Sequence, residues 1–540
     1  MQRSALKAIL TVAAICLFAA PIVTKSQQAN VYPAEQMGVD CSGARDSTKA
    51  LQNAIDGMPD SGTIKFPVGC NVKLGTGIVT GGCAITIMDR LGVQLVSDVL
   101  VGNFGGGQTP KLEWNGNGGT MFCVRHTDHP RFIGLAFADN GHKIDGFLDF
   151  DGDPVRHVGT AGQIEYSTFQ STTPNPNYVG VSISHTATNN HENYEIYHSY
   201  FSCNGQIVVR SRDGVTTAGS PNVGSITANF LPGDVGKRIR ISYPGAYLDT
   251  TVKNVTDSQH ITLNANVADT QTNVTIHTGQ AYGIGIRNGP SQNALQQRFW
   301  HISYSNCEYG IYLVGGNADM RHVGGGQSDF GIFIGGFTAQ QSSIDYYESE
   351  DDARGIESDG PLTLITNSRL SNGNQFGDGF WKFGSGIVNI QNSFLHFAPR
   401  ANQVVVGTSG SSLVTSISNY WNVSLAQVGY DRFITPPVTW INDVFDNNPP
   451  RIQLGCFTGS SPCVAVNAQF GHVNGVALQA TVTNFYGDRT VAPVPYAGTP
   501  LLTPSSSSDP CVKGTIVPDA NFVYVCVAPD TWKRATLSKW

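Results

Sequence analysis

The sequence predicts an all-β solenoid, and three observations carry that prediction. A short glycine-led apolar figure recurs: Gly283-Ile284-Gly285-Ile286, Gly310-Ile311-Tyr312-Leu313, Gly331-Ile332-Phe333-Ile334 and Gly355-Ile356-Glu357-Ser358, with Gly379-Phe380-Trp381-Lys382 closing the series loosely. The leading glycines stand 27, 21, 24 and 24 residues apart. A period in the low twenties with one short strand per repeat marks stacked coils, each unable to bury its inner side chains until the next coil covers it. Composition agrees, since charged residues are only 14% and glycine reaches 61 of 540. Asn, Ser and Thr fill the place of charge, which suits short strands and many turns and excludes a helical or a disordered chain.

Length sets no domain count here, because a solenoid grows by adding coils. The net charge of −7 gives no basic face for nucleic acid. It also gives no general attraction for an anionic polymer, so such a substrate would need a local cationic groove.

Taken in order, the chain opens on an export signal. Arg3 and Lys7 precede an apolar run from Ala8 to Ala20, 13 residues long and too short for a comfortable membrane span. Cys16 follows Ile15, a poor fit to a lipoprotein cleavage site. Residues 1–26 are expected to be a signal peptide, leaving no membrane span and a protein that is secreted or held at the cell surface. Cysteine usage fits export. Without Cys16 ten remain: Cys41, Cys70, Cys83, Cys123, Cys203, Cys307, Cys456, Cys463, Cys511 and Cys526. An even number in an exported chain points to disulfides. Cys456/Cys463 and Cys511/Cys526 are close in sequence, Cys41/Cys70 bracket the first helix, and no spacing matches a zinc site.

That helix follows Gly38-Val39-Asp40. Asp46 or Ser47 is the expected N-cap, with Leu51, Ala54 and Ile55 at helical spacing. Pro59 and Gly62 end it, and Gly62-Thr63-Ile64-Lys65-Phe66-Pro67 reads as a strand halted at proline. A helix at the mouth of a solenoid is a cap. The order of a Gly-x-Asp, an Asp-Ser-Thr turn (Asp46-Ser47-Thr48), an Ala-Ile-Asp helix (Ala54-Ile55-Asp56) and this strand resembles the N-terminal signature of the pectate lyase-like right-handed parallel β-helix superfamily. The resemblance implies the fold and leaves the reaction open, since that superfamily holds lyases, hydrolases, epimerases and inactive proteins.

The β-helix is expected over 34–212 and 280–445. Val179-Gly180-Val181-Ser182-Ile183 followed by Tyr200 to Val209 repeats as Tyr282 to Ile286 followed by Tyr304 to Leu313, split by residues 213–279. The alternating apolar residues of that split segment predict a small antiparallel β lobe. If the strands flanking it are two halves of one coil, Cys203 and Cys307 lie on neighbouring coils about 4.8 Å apart, within disulfide reach. If they are separate coils, the pair cannot bond. Residues 446–508 read as terminal strands, loops and a linker ending in Ser505 to Ser508. Residues 509–540, with Cys511, Cys526, Tyr524, Trp532 and Trp540, read as a small disulfide-tied module.

Stacking the coils on their glycines places the chemistry. Ile311/Leu313 and Ile332/Ile334 point in, so Tyr312, Phe333, Glu357 and Trp381 form an outward column. The turns before the glycines bring Glu308, Asp329, Asp351, Asp352, Arg354 and Asp378 beside it. Rings next to carboxylates on a rigid ladder suit sugar stacking and acid/base chemistry on a polysaccharide. Neighbouring carboxylates push their pKa values apart, leaving one protonated as an acid. Glu308, Asp329, Asp351, Asp352, Arg354 and Glu357 are the catalytic candidates, and Tyr312, Phe333, Trp381 and Asp378 the substrate-binding ones. The plain reading is that Asp, Asn and Ser are ordinary solenoid turn residues and that Arg354/Asp378 is a coil-to-coil ion pair worth under about 1 kcal/mol.

The polygalacturonase-like hydrolases of the superfamily carry Asn-x-Asp, Asp-Asp, Gly-His-Gly and Arg-x-Lys. Asp351-Asp352 would supply the second, but Gly-His-Gly and Arg-x-Lys have no counterpart, nor does the pectate lyase arginine motif. A lyase would need a basic side chain, for which Arg354 is best placed, and cations or Ca²⁺ to neutralise a uronate. Asp149, Asp151 and Asp153 imitate a Ca²⁺ loop without its Gly and Glu, and read as a turn. His191, His198, His301 and His322 are scattered and form no meaningful spacing. The expected function is cleavage of an extracellular polysaccharide, by hydrolysis or uronate elimination. The rivals are a non-catalytic glycan-binding surface protein and a phage-tail-spike-like protein, which the export signal opposes.

Overall fold

The computed structural model describes residues 30–97, 108–151, 161–183, 192–204, 208–243, 246–278, 283–290, 294–335, 341–350, 352, 354–371, 380–383, 386–397 and 413–423. Beyond these it describes the strand segments 438–441, 444–446, 463–466, 469–470, 480–483 and 486–487, and residues 504–509, 516–518 and 521–536. The export signal, Cys456 and Cys511 lie outside them.

Two long parallel sheets wind around one core. One has nine strands, from Cys83–Met88 through Thr120–Arg125, Gly146–Asp151, Val179–Ile183, Ile284–Asn288, Tyr309–Leu313, Phe330–Ile334 and Arg354–Ser358 to Phe380–Phe383. The other has 26, bent at the coil corners. The chain is a right-handed parallel β-helix. Its register explains the repeat: Ile85, Phe122, Leu148, Val181, Ile286, Ile311, Ile332 and Ile356 are successive partners, each fully buried. Every rung contributes about 1.5–3 kcal/mol of burial once its neighbours are in place. Phe137, Phe169 and Phe201 stack the same way on the other wall, at 4.7 Å between rings.

The corners hold a second column. Tyr166, His198, His301, His322, Tyr346, Asn367, Asn392 and Ser418 all take positive φ, between 46° and 59°. A left-handed residue turns the strand and points the next N–H inward, where it must find an acceptor. Side chains lining the corner supply it over several coils: Leu135 N and Ser167 N donate to the hydroxyls of Ser167 and Ser199. Tyr347 N, Ser368 N and Ser393 N donate to Ser368, Ser393 and Asn419.

The capping helix is Thr48–Gly57, with Leu51, Ala54 and Ile55 buried on the core. Ser47 is its N-cap, but the Ser47 hydroxyl accepts from Asp40 N instead of a helical N–H. Asp46 takes the Thr48 N–H at 2.9 Å. Among the described residues no helix is long and apolar enough to cross a membrane. The disulfides include Cys41–Cys70, Cys83–Cys123 and Cys203–Cys307.

Between Glu195–Ser202 and Ile284–Asn288 the chain leaves the solenoid and closes a six-stranded antiparallel barrel, from Val208–Thr216 to Gln271–Thr278. Ile239, Ile241, Val252, Ile261, Leu263 and Ile276 fill it. The solenoid runs on beneath: Val179–Ile183 pairs directly with Ile284–Asn288, and Glu195–Ser202 with Gln297–Ser305. The two pairings put Cys203 and Cys307 on adjacent coils. Near the C-terminus Ile516–Pro518, Phe522–Ala528 and Thr531–Thr536 make a three-stranded antiparallel sheet.

Candidate functional site

The nine-stranded sheet presents one continuous outward column, in register order Asp149, Ser182, Arg287, Tyr312, Phe333 and Glu357. Tyr312 and Phe333 are half-buried and stack at 5.2 Å, 18° from parallel. Tyr309 packs on Tyr312 and lies flat over the buried Phe330, both at 4.6 Å. Four rings thus make an aromatic face. Below it Arg287 donates to the Ser182 hydroxyl at 2.8 Å, and Asp149 accepts from Arg125 at 2.7 Å. Burial pushes the Arg287 pKa down, against the charges of Asp149 and Tyr312.

Glu308 directly precedes Tyr309 and is half-buried. Burial, reinforced by the negative charge of Asp329, pushes its carboxyl pKa up, while Arg238 and Arg240 oppose the shift. Burial also raises the Tyr312 hydroxyl, with the Glu308 charge adding to it. A carboxylic acid held toward its protonated form beside exposed ring faces can donate a proton to a bound polar ligand.

The other expected residues go elsewhere. Asp329 is withdrawn from solvent, 4% exposed; its two oxygens accept from Arg240 of the barrel at 2.6 and 3.0 Å. Burial drives its carboxyl up and Arg240 works against that. Asp352 does not face outward either. It is buried at the corner, accepting from Ser328 N, Ser349 Oγ, Tyr304 OH and Tyr347 OH at 2.7 to 3.3 Å, and burial pushes it up to about 7. The reason is positional: Cys307 N donates to Ser328 Oγ and Ser328 N to Asp352 Oδ1, so Asp352 is the next rung of an inner polar corner. Glu357 keeps its outward column but is 5% exposed. In backbone register Glu357 pairs with Lys382 and not with Trp381, because of a register shift between Arg354 and Glu357. Asp351 and Asp378 lie outside the described residues, as do the side chains of Arg354 and Trp381.

Two groups were missed. His198, His301 and His322 are rungs of the corner, stacked at 4.5 and 4.6 Å and flanked by Tyr166 and Tyr346; only the corner register reveals this. The barrel residues Arg238, Arg240 and Asp249 reach the site from another module, and no local motif announces them. Among the described residues no group of three or more His, Cys, Asp or Glu has metal-holding geometry.

No family model matches the chain, and no curated protein matches it. Among solved structures it is similar to a variant of the tailspike protein of E. coli bacteriophage HK620 in complex with a pentasaccharide. The identity is 10%, the TM-score 0.51, and the match covers 94% of this chain and 92% of that one. The same tailspike protein without substitution, also with a pentasaccharide, gives 9% identity, TM-score 0.50 and the same coverage. The endo-xylogalacturonan hydrolase of Aspergillus tubingensis is 11% identical over 82% of this chain and 90% of its own, at TM-score 0.29. At such identities the likeness to the tailspike is one of fold.

Proposed function

We propose that this chain is a secreted β-helix protein that binds an extracellular polysaccharide on the aromatic face and cleaves its glycosidic bonds. The observation that carries the reading is the stacked pair Tyr312 and Phe333, half-exposed on the outer sheet face and neighboured by Glu308, an acid whose carboxyl burial pushes up. Ring faces take the apolar faces of sugars, and Glu308 supplies the proton to the leaving oxygen. Glu357 stands two rungs from Tyr312, about 9.6 Å along the axis. Glu308 stands a further four strand residues from the level of Glu357, about 13 Å at roughly 3.3 Å per residue. The two carboxyls are therefore farther apart than the roughly 5 Å of a retaining pair or the roughly 6.5–9.5 Å of an inverting one, and Glu308 is the acid on which the reading rests. Disulfides between coils accord with export, and the tailspike of the same fold was solved with an oligosaccharide bound.

The test is a panel of pectins, rhamnogalacturonans, alginates and bacterial surface polysaccharides, scored for new reducing ends and for the ultraviolet absorbance of unsaturated products. Reducing ends without absorbance support hydrolysis; absorbance would turn the reading to a lyase. Binding without either product would leave a glycan-binding surface protein. With an active polymer in hand, Glu308→Gln lowers kcat by about 10²–10⁴-fold and leaves binding in place. Tyr312→Ala weakens binding by about tenfold, the scale of one lost ring contact.

A further inference from the structure

The barrel meets the solenoid through a guanidinium with two partners. Arg240 Nη1 and Nη2 donate to Asp329 of the solenoid at 2.6 and 3.0 Å, while Nε and Nη2 donate to Asp249 of the barrel at 2.7 and 2.8 Å. The Arg240 and Asp329 side chains are 10% and 6% exposed. Arg238, two residues earlier on the same strand, stands 3.6 Å from Asp249.

A planar fork gripping two carboxylates fixes direction as well as distance. A buried ion pair adds little net attachment compared with apolar contact, so orientation is what this link contributes. A decorative lobe needs only its two chain crossings. This one is aimed. Asp329 directly precedes Phe330, which lies beneath Tyr309, and Phe330 pairs with Tyr309 on the coil before, where Glu308 directly precedes Tyr309. The clamp therefore closes at the edge of the aromatic face.

We infer that the barrel is the second wall of the glycan site and that Arg240 is the positioning residue that docks it, with Arg238 on the same barrel strand beside Asp249. The word glycan rests on the function proposed above; the docking does not. Support comes from the charges that act on Glu308, which include Arg238, Arg240 and Asp249 of the barrel as well as Asp329 beneath it. The barrel thus controls how open the face is and how readily Glu308 gives up its proton.

The test uses the full chain without any glycan. Glu308 is labelled with a water-soluble carbodiimide and glycine ethyl ester, Tyr309 and Tyr312 with a tyrosine-selective reagent, and both are read by mass spectrometry across pH. Arg240→Leu and Asp329→Asn should each raise labelling of all three residues several-fold. The Arg240→Leu/Asp329→Asn pair should rise no further than either alone. Should Arg240→Leu fail to fold, Asp329→Asn, which keeps an acceptor in place, still gives the reading. Arg238→Gln should leave tyrosine labelling unchanged and move the pH midpoint of Glu308 modification upward, because a cation favouring the carboxylate is gone. Unchanged labelling in the clamp variants, or an unmoved midpoint in Arg238→Gln, overturns the inference. With an active polymer, the clamp variants should raise KM more than they lower kcat. A wild-type chain inert on every polymer would sink the proposed function while leaving the labelling result intact.

Discussion

At the scale of single residues, burial decides which carboxylates remain available for chemistry. Asp352 accepts four hydrogen bonds and still has its carboxyl pushed up to about 7, because burial outweighs the donors. A carboxyl raised above its unfolded value near 3.8 binds more protons folded than unfolded between those two pH values. Its contribution to stability is therefore complete below about pH 4 and is lost as pH rises toward and through 7. Asp352→Asn keeps an acceptor for the donors and removes the charge. The denaturant midpoint of the variant should match or fall below wild type at pH 4.5 and exceed it at pH 8. A variant no more stable than wild type at pH 8 would mean that the folded carboxyl is not raised and that its four donors hold Asp352 as a carboxylate. Glu308 is the opposite case: raised by burial yet only half-buried, it keeps a path to solvent. The sequence put both residues in one acidic cluster. It showed that they occupy turns before glycines, but not that one rung turns inward while the other stays at the surface.

At the scale of elements, the glycine-led strands were legible because a column is a local property repeated. Ile311 and Ile332 must point in wherever a coil stacks on a coil, and they do. The corners were illegible for the complementary reason. Tyr, His, Asn and Ser share a left-handed φ there, and that common requirement leaves no common side chain to read. His198, His301 and His322 consequently looked scattered when they are one stack. Burial, with His198 and His322 on either face, pushes the His301 pKa below 6.5. A base depressed in the folded state contributes stability that is present above its unfolded pKa and is lost as pH falls through the folded one. His301→Asn, with a residue that tolerates positive φ, should therefore lose less stability than wild type between pH 7.5 and 5.0. The check is the difference between the two urea midpoints at each pH, which cancels the opposite trend from Asp352. Equal differences at both pH values would show that the stack does not feel its own charge.

At the scale of the whole molecule, the barrel interrupts the chain without interrupting the solenoid. Its own alternating strands could be read in sequence, but its docking could not, since Arg240 and Asp329 are 89 residues apart and belong to different modules. Cys203–Cys307 closes the joint beneath it, with a sequence separation of 104, so the barrel lies entirely within the cross-linked loop. In the unfolded chain that bridge removes the freedom of a loop of roughly 100 residues, worth about 4.7 kcal/mol in the chain-entropy picture. In the folded chain the two coils remain joined by the parallel ladder from Glu195–Arg298 to Ser202–Ser305, and the clamp at Arg240 is a separate link. Cys203→Ala/Cys307→Ala should thus keep the folded architecture and lose stability through the unfolded state, by about 3–5 kcal/mol. Hydrogen exchange should show native protection in the barrel core around Ile239 and Ile276 and in the strand Tyr309–Leu313, while the global urea midpoint falls. A variant whose barrel core loses protection, with the rest of the chain unchanged, would show instead that the bridge holds the barrel's entry in place, and that the solenoid and barrel are less independent than their separate cores imply.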